Sequence, residues 1–313
     1  MAAGRAMLDK NHPALPSRLG DTNSYLLGSI CGHNVVMVCL PLGDIGTNFA
    51  ASVVTQLRSS FQKFQYGLIV GIGGGMPSRK FDIRLGDVVV SRPVDKYPGV
   101  VQYDFGKAAR GGNSEQTGTL NRPPDVLLGS ISSLEAQYSN MDNPISSMVK
   151  EQMGLRMTSY GFPGQVRDEL FESSYAHPEF EDDCSECDRS RLVKREPRLT
   201  DEPYIWYGLL ASGNQVMKDG PTRDALSECS SILCFEMEAA GIMNYLPCLV
   251  IRGICDYCDS HKKKKWKGYP AMTAAAYAEL LLSIVPKHSL FGKDVKTNKT
   301  SRLKESNACN IFT

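Results

Sequence analysis

The chain has 313 residues, 42% of them hydrophobic and 22% charged, with a formal net charge of +1. This is the profile of a soluble globular domain long enough for a large core, and its balanced charge gives no general attraction to nucleic acid or to a membrane surface. No apolar run approaches the roughly 18–20 residues of a spanning helix. The start "MAAGRAMLDK" lacks the apolar region of a secretory signal, and several of the ten cysteines sit in apolar runs. Reduced thiols in a cytoplasmic protein are therefore expected, rather than a disulfide framework.

In chain order, residues 24–30 "SYLLGSI" and 34–40 "NVVMVCL" read as strands of a hairpin turning at "CGH". Residues 47–61 read as a helix with Thr47 or Asn48 as its cap and Ala50, Val53, Val54 and Leu57 on one face. "YGLIVGIGGG" reads as a buried strand ending in a glycine loop. "LGDVVVS" is a further strand, and 124–139 a helix. From 140 to 202 the texture turns polar, acidic and then basic, which predicts a surface insertion rather than a second domain. Regular structure returns with the strand "IWYGLLASGN", helices at 221–230 and about 238–246, the strand "PCLVIRGIC" and a helix at 270–285. Residues 291–313 are polar, basic and unpatterned, and read as a disordered tail. Mixed strands and helices predict a three-layer α/β fold, helices covering a central mixed sheet, over residues 1–290.

Several segments have the makings of a site. Gly71-Ile72-Gly73-Gly74-Gly75 follows a buried strand but matches neither the dinucleotide fingerprint nor a Walker A loop. Either its amides approach an anion or a sugar, or the glycines serve a tight strand exit. Residues 234–260 are mostly apolar yet carry Glu236, Glu238 and Asp256, and buried carboxylates are costly unless paired or used. Asp256 falls at the end of a strand, where ligands bind open α/β sheets. Glu236 and Glu238, two apart on a helix, would point about 200° from each other; a cap or a buried ion pair with Arg252 is the alternative to a site role. Ser212, Gly213 and Asn214 form a second turn at a strand end.

Taken together, "VGIGGGMPS", "RLGDVVVS", "ASGNQVMKDG", "FEMEAAG" and "VIRGICD", in this order and spacing, resemble the purine nucleoside phosphorylase and nucleosidase superfamily. The resemblance runs from about residue 2 to 286 and is nearest to the phosphorylase-like domains that fungi place at the N-terminus of NOD-like receptor proteins. It implies cleavage of an N-glycosidic bond in a purine nucleoside or nucleotide. Met237 and Glu238 would hold the ribose, and Asp256 would hydrogen-bond N7 of the base. Gly73, Gly74, Gly75, Ser212, Gly213 and Asn214 would complete the substrate site. A protonated acid at N7 neutralises the departing purine, and a carboxylate at the ribose is stabilising as positive charge grows on the sugar; Glu236 is then structural. The implied partners are the small-molecule purine substrate, inorganic phosphate if the reaction is phosphorolytic, and other copies of the chain in a homo-oligomer. No cofactor, nucleic-acid or membrane partner is expected.

The family opens with a strand and loop upstream of a helix. This chain begins inside that helix, so a sheet lacking its first strand, with open edges, is expected. The basic run "HKKKKWK" follows Asp256 closely. Lys262 and Lys264, with Arg84 and Lys218, are candidate phosphate contacts and favour hydrolysis of an adenine nucleotide such as ATP. "CSEC" and "CDYC" have metal-ligand spacing and, with His177 or His261 as spare ligands, would make a four-cysteine site only if the two segments met. The expectation is no metal.

Overall fold

The structure is a computed structural model that describes residues 1–108, 114–116, 118–153, 158–178, 183–228, 231–261, 264–287 and 308–312. The elements run α1 (Ala2–Ala6), β1 (Lys10–Asn11), β2 (Tyr25–Ile30), β3 (His33–Val38), α2 (Thr47–Ser60), β4 (Phe64–Gly75), β5 (Val88–Ser91), β6 (Val100–Gln102), β7 (Gly106–Ala108), β8 (Ser114–Gln116), α3 (Asp125–Gln137) and α4 (Ile145–Gln152). They continue with β9 (Ile205–Ser212), α5 (Gly220–Glu228), β10 (Ile232–Glu236), β11 (Cys248–Asp256), α6 (Gly268–Ile284) and β12 (Ala308–Phe312).

The expected central mixed sheet is present, with 10 strands. It is not an open layer. β4 pairs with β11, β11 with β5, β5 with β9, β9 with β10, and β10 with β4 again, which closes a ring. β4 is long enough to serve several neighbours because its run Leu68–Val70 is buried and its glycines continue the strand. The predicted glycine loop is thus part of β4, whose amides face β11 and β10. The hairpin of β2 and β3 turns on Cys31 and Gly32, both in the left-handed region at φ 47° and 77°, as two-residue hairpin turns require.

Three further expectations are corrected. The segment read as a helix around 238–246 holds only a short 3-10 turn, Ala239–Gly241, and follows a strand, β10, that was not expected. The apolar run Ile232–Phe235 finds buried strand partners on both sides. Helix α2 has Gly46 as its N-cap residue, not Thr47 or Asn48. Residues 308–312, placed by sequence in a disordered tail, run parallel to β3 on one side and β4 on the other. The edges of β3 and β4 expected to stand open are paired there, and the backbone ladder supplies what the polar surroundings of this segment conceal.

Helix α6 packs on β11 and β4 and is buried almost all round, from Tyr269 through Leu282. Alanines dominate its middle, and Gly253 of β11 lies so close that a Cβ would sit 1.9 Å from the Pro270 carbonyl oxygen. The stretch expected to be an insertion contains α4, packed on α6, and its Arg198 is held by Asp87. That carboxylate, 1% exposed, accepts hydrogen bonds from Arg198, from the amides of Arg84 and Tyr204, and from the Trp206 indole. Among the described residues no helix is long and apolar enough to cross a membrane.

Glu279 on α6 is held against its own charge. Its Oε2 is buried without a hydrogen-bond partner among the described residues. Burial, with the like charges of Asp9 and Glu151, raises its pKa to about 7. An acid whose folded pKa lies above its unfolded value binds an extra proton when folded, so stability falls as pH rises toward and through 7. Glu279→Gln is expected to stabilise the chain at pH 8 by on the order of 1 kcal/mol after solvent screening, and to change little at pH 5. Denaturant melts at the two pH values measure this; an equal effect at both would remove charge as the cause.

Candidate functional site

The site begins where β4, β10 and β11 meet. Asp256, the last residue of β11, is level with Gly74 of β4, and Gly74 is level with Phe235 of β10. β10 runs antiparallel to β4, so it passes the level of Asp256 at Phe235 and runs on beyond it, and does not end there as one of several parallel strand ends. Arg252, which binds both Glu236 and Glu238, is level with Gly71 of β4. At about 3.3 Å per strand residue, that level is about 10 Å along β4 from Asp256.

Both glutamates converge on one guanidinium. Arg252 on β11 donates from Nη2 to Glu236 Oε2 and, at 3.0 Å, to Glu238 Oε2. Glu236 has a fully buried side chain and also accepts the amides of Glu238 at 3.1 Å and Ala239 at 3.0 Å. It is therefore an ion-pair partner that also binds the amides at the start of the 3-10 turn. The helical argument that the two acids diverge does not apply, because the first sits in a strand and the second after it. Glu238 is 21% exposed. Burial raises its pKa, with Arg252 opposing. Burial works against the Arg252 charge as well, yet the two carboxylates hold its pKa above the ordinary value. The Nε–H of Arg252 is buried and has no hydrogen-bond partner among the described residues.

Glu238 and Arg252 line a cavity of about 410 Å³ together with Met1, Cys39, Gly71 and Ile72. Its walls include residues Val38 to Asp44 after β3 and Ile69 to Ile72 of β4. The last pairs of β12 join Phe312 to Val38 and to Ile69, so the cavity continues the slot between β3 and β4 beyond the end of β12. Asp256 does not line this cavity. It is partly buried, its Oδ1 accepts the Cys258 amide at 2.9 Å, and its Oδ2 faces Cys255 Sγ at 3.5 Å. An apolar cluster that includes Met76, Phe235 and Cys258 packs beside it, with Tyr103 edge-on to Phe235.

The glycines of β4 accommodate neighbours. A Cβ on Gly71 would lie 2.1 Å from Arg252 Nη1, on Gly73 2.6 Å from Cys234 Sγ, on Gly74 2.1 Å from Cys258 Sγ, and on Gly75 2.7 Å from Ile254. Ser212 is fully buried and accepts the Ala240 amide at 3.0 Å. Gly213 packs under Tyr103. Asn214 is a clamp: its Oδ1 accepts the amide and hydroxyl of Thr47 at 3.0 and 2.9 Å, while its own amide and Nδ2 donate to Asp104 Oδ2. It supplies, from another segment, the side-chain cap that α2 lacks. Met237 is half-buried.

The phosphate candidates are not gathered together. Arg84 is bound to Asp82 and to the Glu196 carbonyl, in a separate cavity beneath the insertion. Lys218 is exposed. Lys262 lies outside the described residues, and of Lys264 only the backbone, in a 3-10 turn, is described. Nor do the two cysteine pairs form one cluster: Cys184 and Cys187 gather with His177, and neither Cys255 nor Cys258 belongs to that group. Sequence reasoning missed the groups that fix the loop after Asp256. The Tyr257 hydroxyl bonds Asp168 and accepts from Arg195 at 3.0 Å, and the Tyr257 carbonyl accepts from the buried Arg223 at 2.7 Å. Arg195 in a polar stretch and Arg223 on α5 carry no signal of their own until their acceptors are in place.

No family model matches the chain. It is similar to the 5′-methylthioadenosine/S-adenosylhomocysteine nucleosidase of Neisseria meningitidis in complex with methylthio-immucillin-A: TM-score 0.56, 14% identity, 90% of this chain and 95% of that one. It is similar also to the corresponding Streptococcus pneumoniae enzyme, at TM-score 0.55, 18% identity and 91% and 96% coverage. Futalosine hydrolase of Helicobacter pylori gives 0.55, 15%, 90% and 91%. The chain has the nucleosidase fold. In sequence it is 44% identical, over 292 residues, to a nucleotide-binding leucine-rich repeat (NLR)-like protein of Hyaloscypha variabilis. The match covers 93% of this chain and 29% of that protein, so the nucleosidase fold here corresponds to under a third of the curated relative's length.

The Arg252 arrangement makes a stability prediction. Arg252→Met leaves Glu236 buried and unpaired and is expected to cost about 3–5 kcal/mol. Asn214→Ala, which removes bonds at the surface, is expected to cost about 1–2 kcal/mol. Chemical denaturation of both variants would show the difference; equal small losses would mean that the guanidinium does not hold the strand ends.

Proposed function

We propose that the chain cleaves the N-glycosidic bond of a purine nucleoside or nucleotide, with water as the acceptor. The observation that carries this reading is Glu238. Its carboxylate is oriented by Arg252 on the wall of a ligand-sized cavity, about three residues along β4 from Asp256, within a nucleosidase fold. The neighbouring solved structures are nucleosidases of methylthioadenosine and S-adenosylhomocysteine and a futalosine hydrolase, and they support the same class of bond for this chain.

In this proposal Glu238 holds the ribose hydroxyls and stabilises the positive charge that grows on the sugar as the bond lengthens. Asp256 shares a proton with N7, so the purine departs neutral. Met237 packs under the sugar, and Gly71 of β4 lines the cavity beside Glu238. The basic run at 262–265, close after Asp256, favours an adenine nucleotide such as ATP over the free nucleoside. A second reading, a ligand sensor without turnover, is supported by the NLR-like relative and by the absence of Asp256 from the cavity wall.

Chromatography of adenosine, methylthioadenosine and ATP reactions, with and without phosphate, separates these. Free base with free sugar is the expected result. Sugar 1-phosphate would mean phosphorolysis, and calorimetric binding without products would mean a sensor. Asp256→Asn is expected to lose about two to four orders of magnitude in rate with an unchanged melting temperature; near-normal turnover would rule the residue out. Replacing Lys262, Lys263, Lys264 and Lys265 by Ser is expected to raise KM for the nucleotide alone, because ground-state phosphate contacts are uniform binding.

A further inference from the structure

A second group of reactive side chains lies away from the cavity and serves no step of the proposed reaction. The Sγ atoms of Cys184 and Cys187 and a ring nitrogen of His177 lie within 4.8 Å of one another. Both cysteines are buried free thiols, 7% and 4% exposed. The Cys187 amide turns back to the Cys184 carbonyl at 3.4 Å, which closes the turn between the two thiols.

His261 approaches them from the loop after Asp256 but stands outside the group gathered within 4.8 Å. Its side chain is 2% exposed. It stacks on Phe171 at 4.2 Å and Tyr175 at 5.3 Å, and its ring centre is 5.4 Å from that of His177. Among the described residues neither ring nitrogen of His261 has a hydrogen-bond partner, and an Asp259 carboxylate oxygen lies 3.8 Å from Nδ1. Burying an imidazole with both nitrogens unpaired is costly, so the site lacks a partner for this ring.

His177 points the same way. Its Nδ1 faces the Pro178 carbonyl at 2.9 Å and its Nε2 the Asp183 carbonyl at 2.8 Å. A neutral ring has one proton, so only one of these contacts is a hydrogen bond. With Nδ1–H on Pro178, Nε2 is left with a lone pair. An N–H given to a carbonyl with the other nitrogen on the ion is how metal-binding histidines are commonly oriented.

We propose that Cys184, Cys187, His177 and His261 form a tetrahedral zinc site. Two thiolates and two neutral imidazoles balance the charge of a divalent ion. Bond lengths of about 2.3 Å to sulfur and 2.0–2.1 Å to nitrogen set ligand atoms about 3.3–3.8 Å apart, so the three gathered ligands need to close by about 1 Å at most. Softer sulfur and nitrogen donors, the two thiols buried and His177 half-buried, suit structural zinc rather than magnesium or calcium. The ion would staple residues 171–187 to the loop that follows Asp256, reinforcing the bond from the His177 amide to Ser260 Oγ at 2.8 Å. This inference does not depend on the proposed reaction.

The test is metal content and cobalt substitution in the whole chain, purified without chelator under reducing conditions. Expected are one zinc per chain by elemental analysis and, after exchange with Co²⁺, the thiolate charge-transfer and tetrahedral visible bands. Cys184→Ser and Cys187→Ser should lose both signals, His261→Ala should weaken metal retention at least tenfold, and Cys255→Ser should retain the ion. Wild-type protein that carries no stoichiometric zinc and gives no cobalt–thiolate band overturns the proposal without any variant. So does a Cys184–Cys187 disulfide in the isolated protein, or a Cys255→Ser variant that loses metal as fully as Cys184→Ser.

Discussion

The guanidinium of Arg252 is the group on which the candidate site depends. It is buried on β11, it binds Glu236 at the end of β10, and it binds Glu238 just beyond. Two acids and one base in an apolar interior are stable only as a hydrogen-bonded unit. Glu236 satisfies its remaining acceptor capacity with the amides of the following turn, and Arg252 needs Gly71, since any side chain there would collide with Nη1. The ion pair therefore explains three features together: a glycine in a long strand, the abrupt turn after Glu236, and a carboxylate left facing a cavity.

The surroundings of Asp256 follow a different logic. Its loop is positioned from outside, by Tyr257 held between Asp168 and Arg195 and by Arg223 on the Tyr257 carbonyl. Asp168 and Arg195 belong to the insertion, which is anchored in turn by Asp87 and Arg198. The insertion is thus part of the scaffold of the candidate site and not an appendage. It contributes little apolar core but many charged hydrogen bonds, the stronger kind when both partners are partly withdrawn from water.

The strand slot between β3 and β4 links the fold to the cavity. β12 fills its lower part and pairs on both sides, and the cavity lined by Glu238 begins where those pairs end. A strand one residue longer or shorter would change the cavity, because each strand residue advances about 3.3 Å. Cavity depth in this fold is therefore tied to backbone register as much as to side-chain size.

Residue order alone determined the class of fold, the hairpin, α2, α3, α6 and the buried strands β4, β9 and β11. Each has a local pattern, of alternation, of helical spacing or of an unbroken apolar run, that one segment carries by itself. It also singled out Glu236, Glu238 and Asp256, since acids in apolar runs are conspicuous, and it offered Arg252 as a partner. What it did not determine is every feature that needs two distant segments. Ile232–Phe235 is a strand because β4 and β9 flank it. Residues 308–312 pair because β3 and β4 leave a gap of one strand's width. Asn214 caps a helix about 170 residues earlier in the chain, and Cys184 lies with His177 rather than with the CDYC pair. Local propensity is a few tenths of a kcal/mol per residue, whereas a buried ion pair or an unsatisfied strand edge is worth several, so tertiary partners decide wherever the two compete.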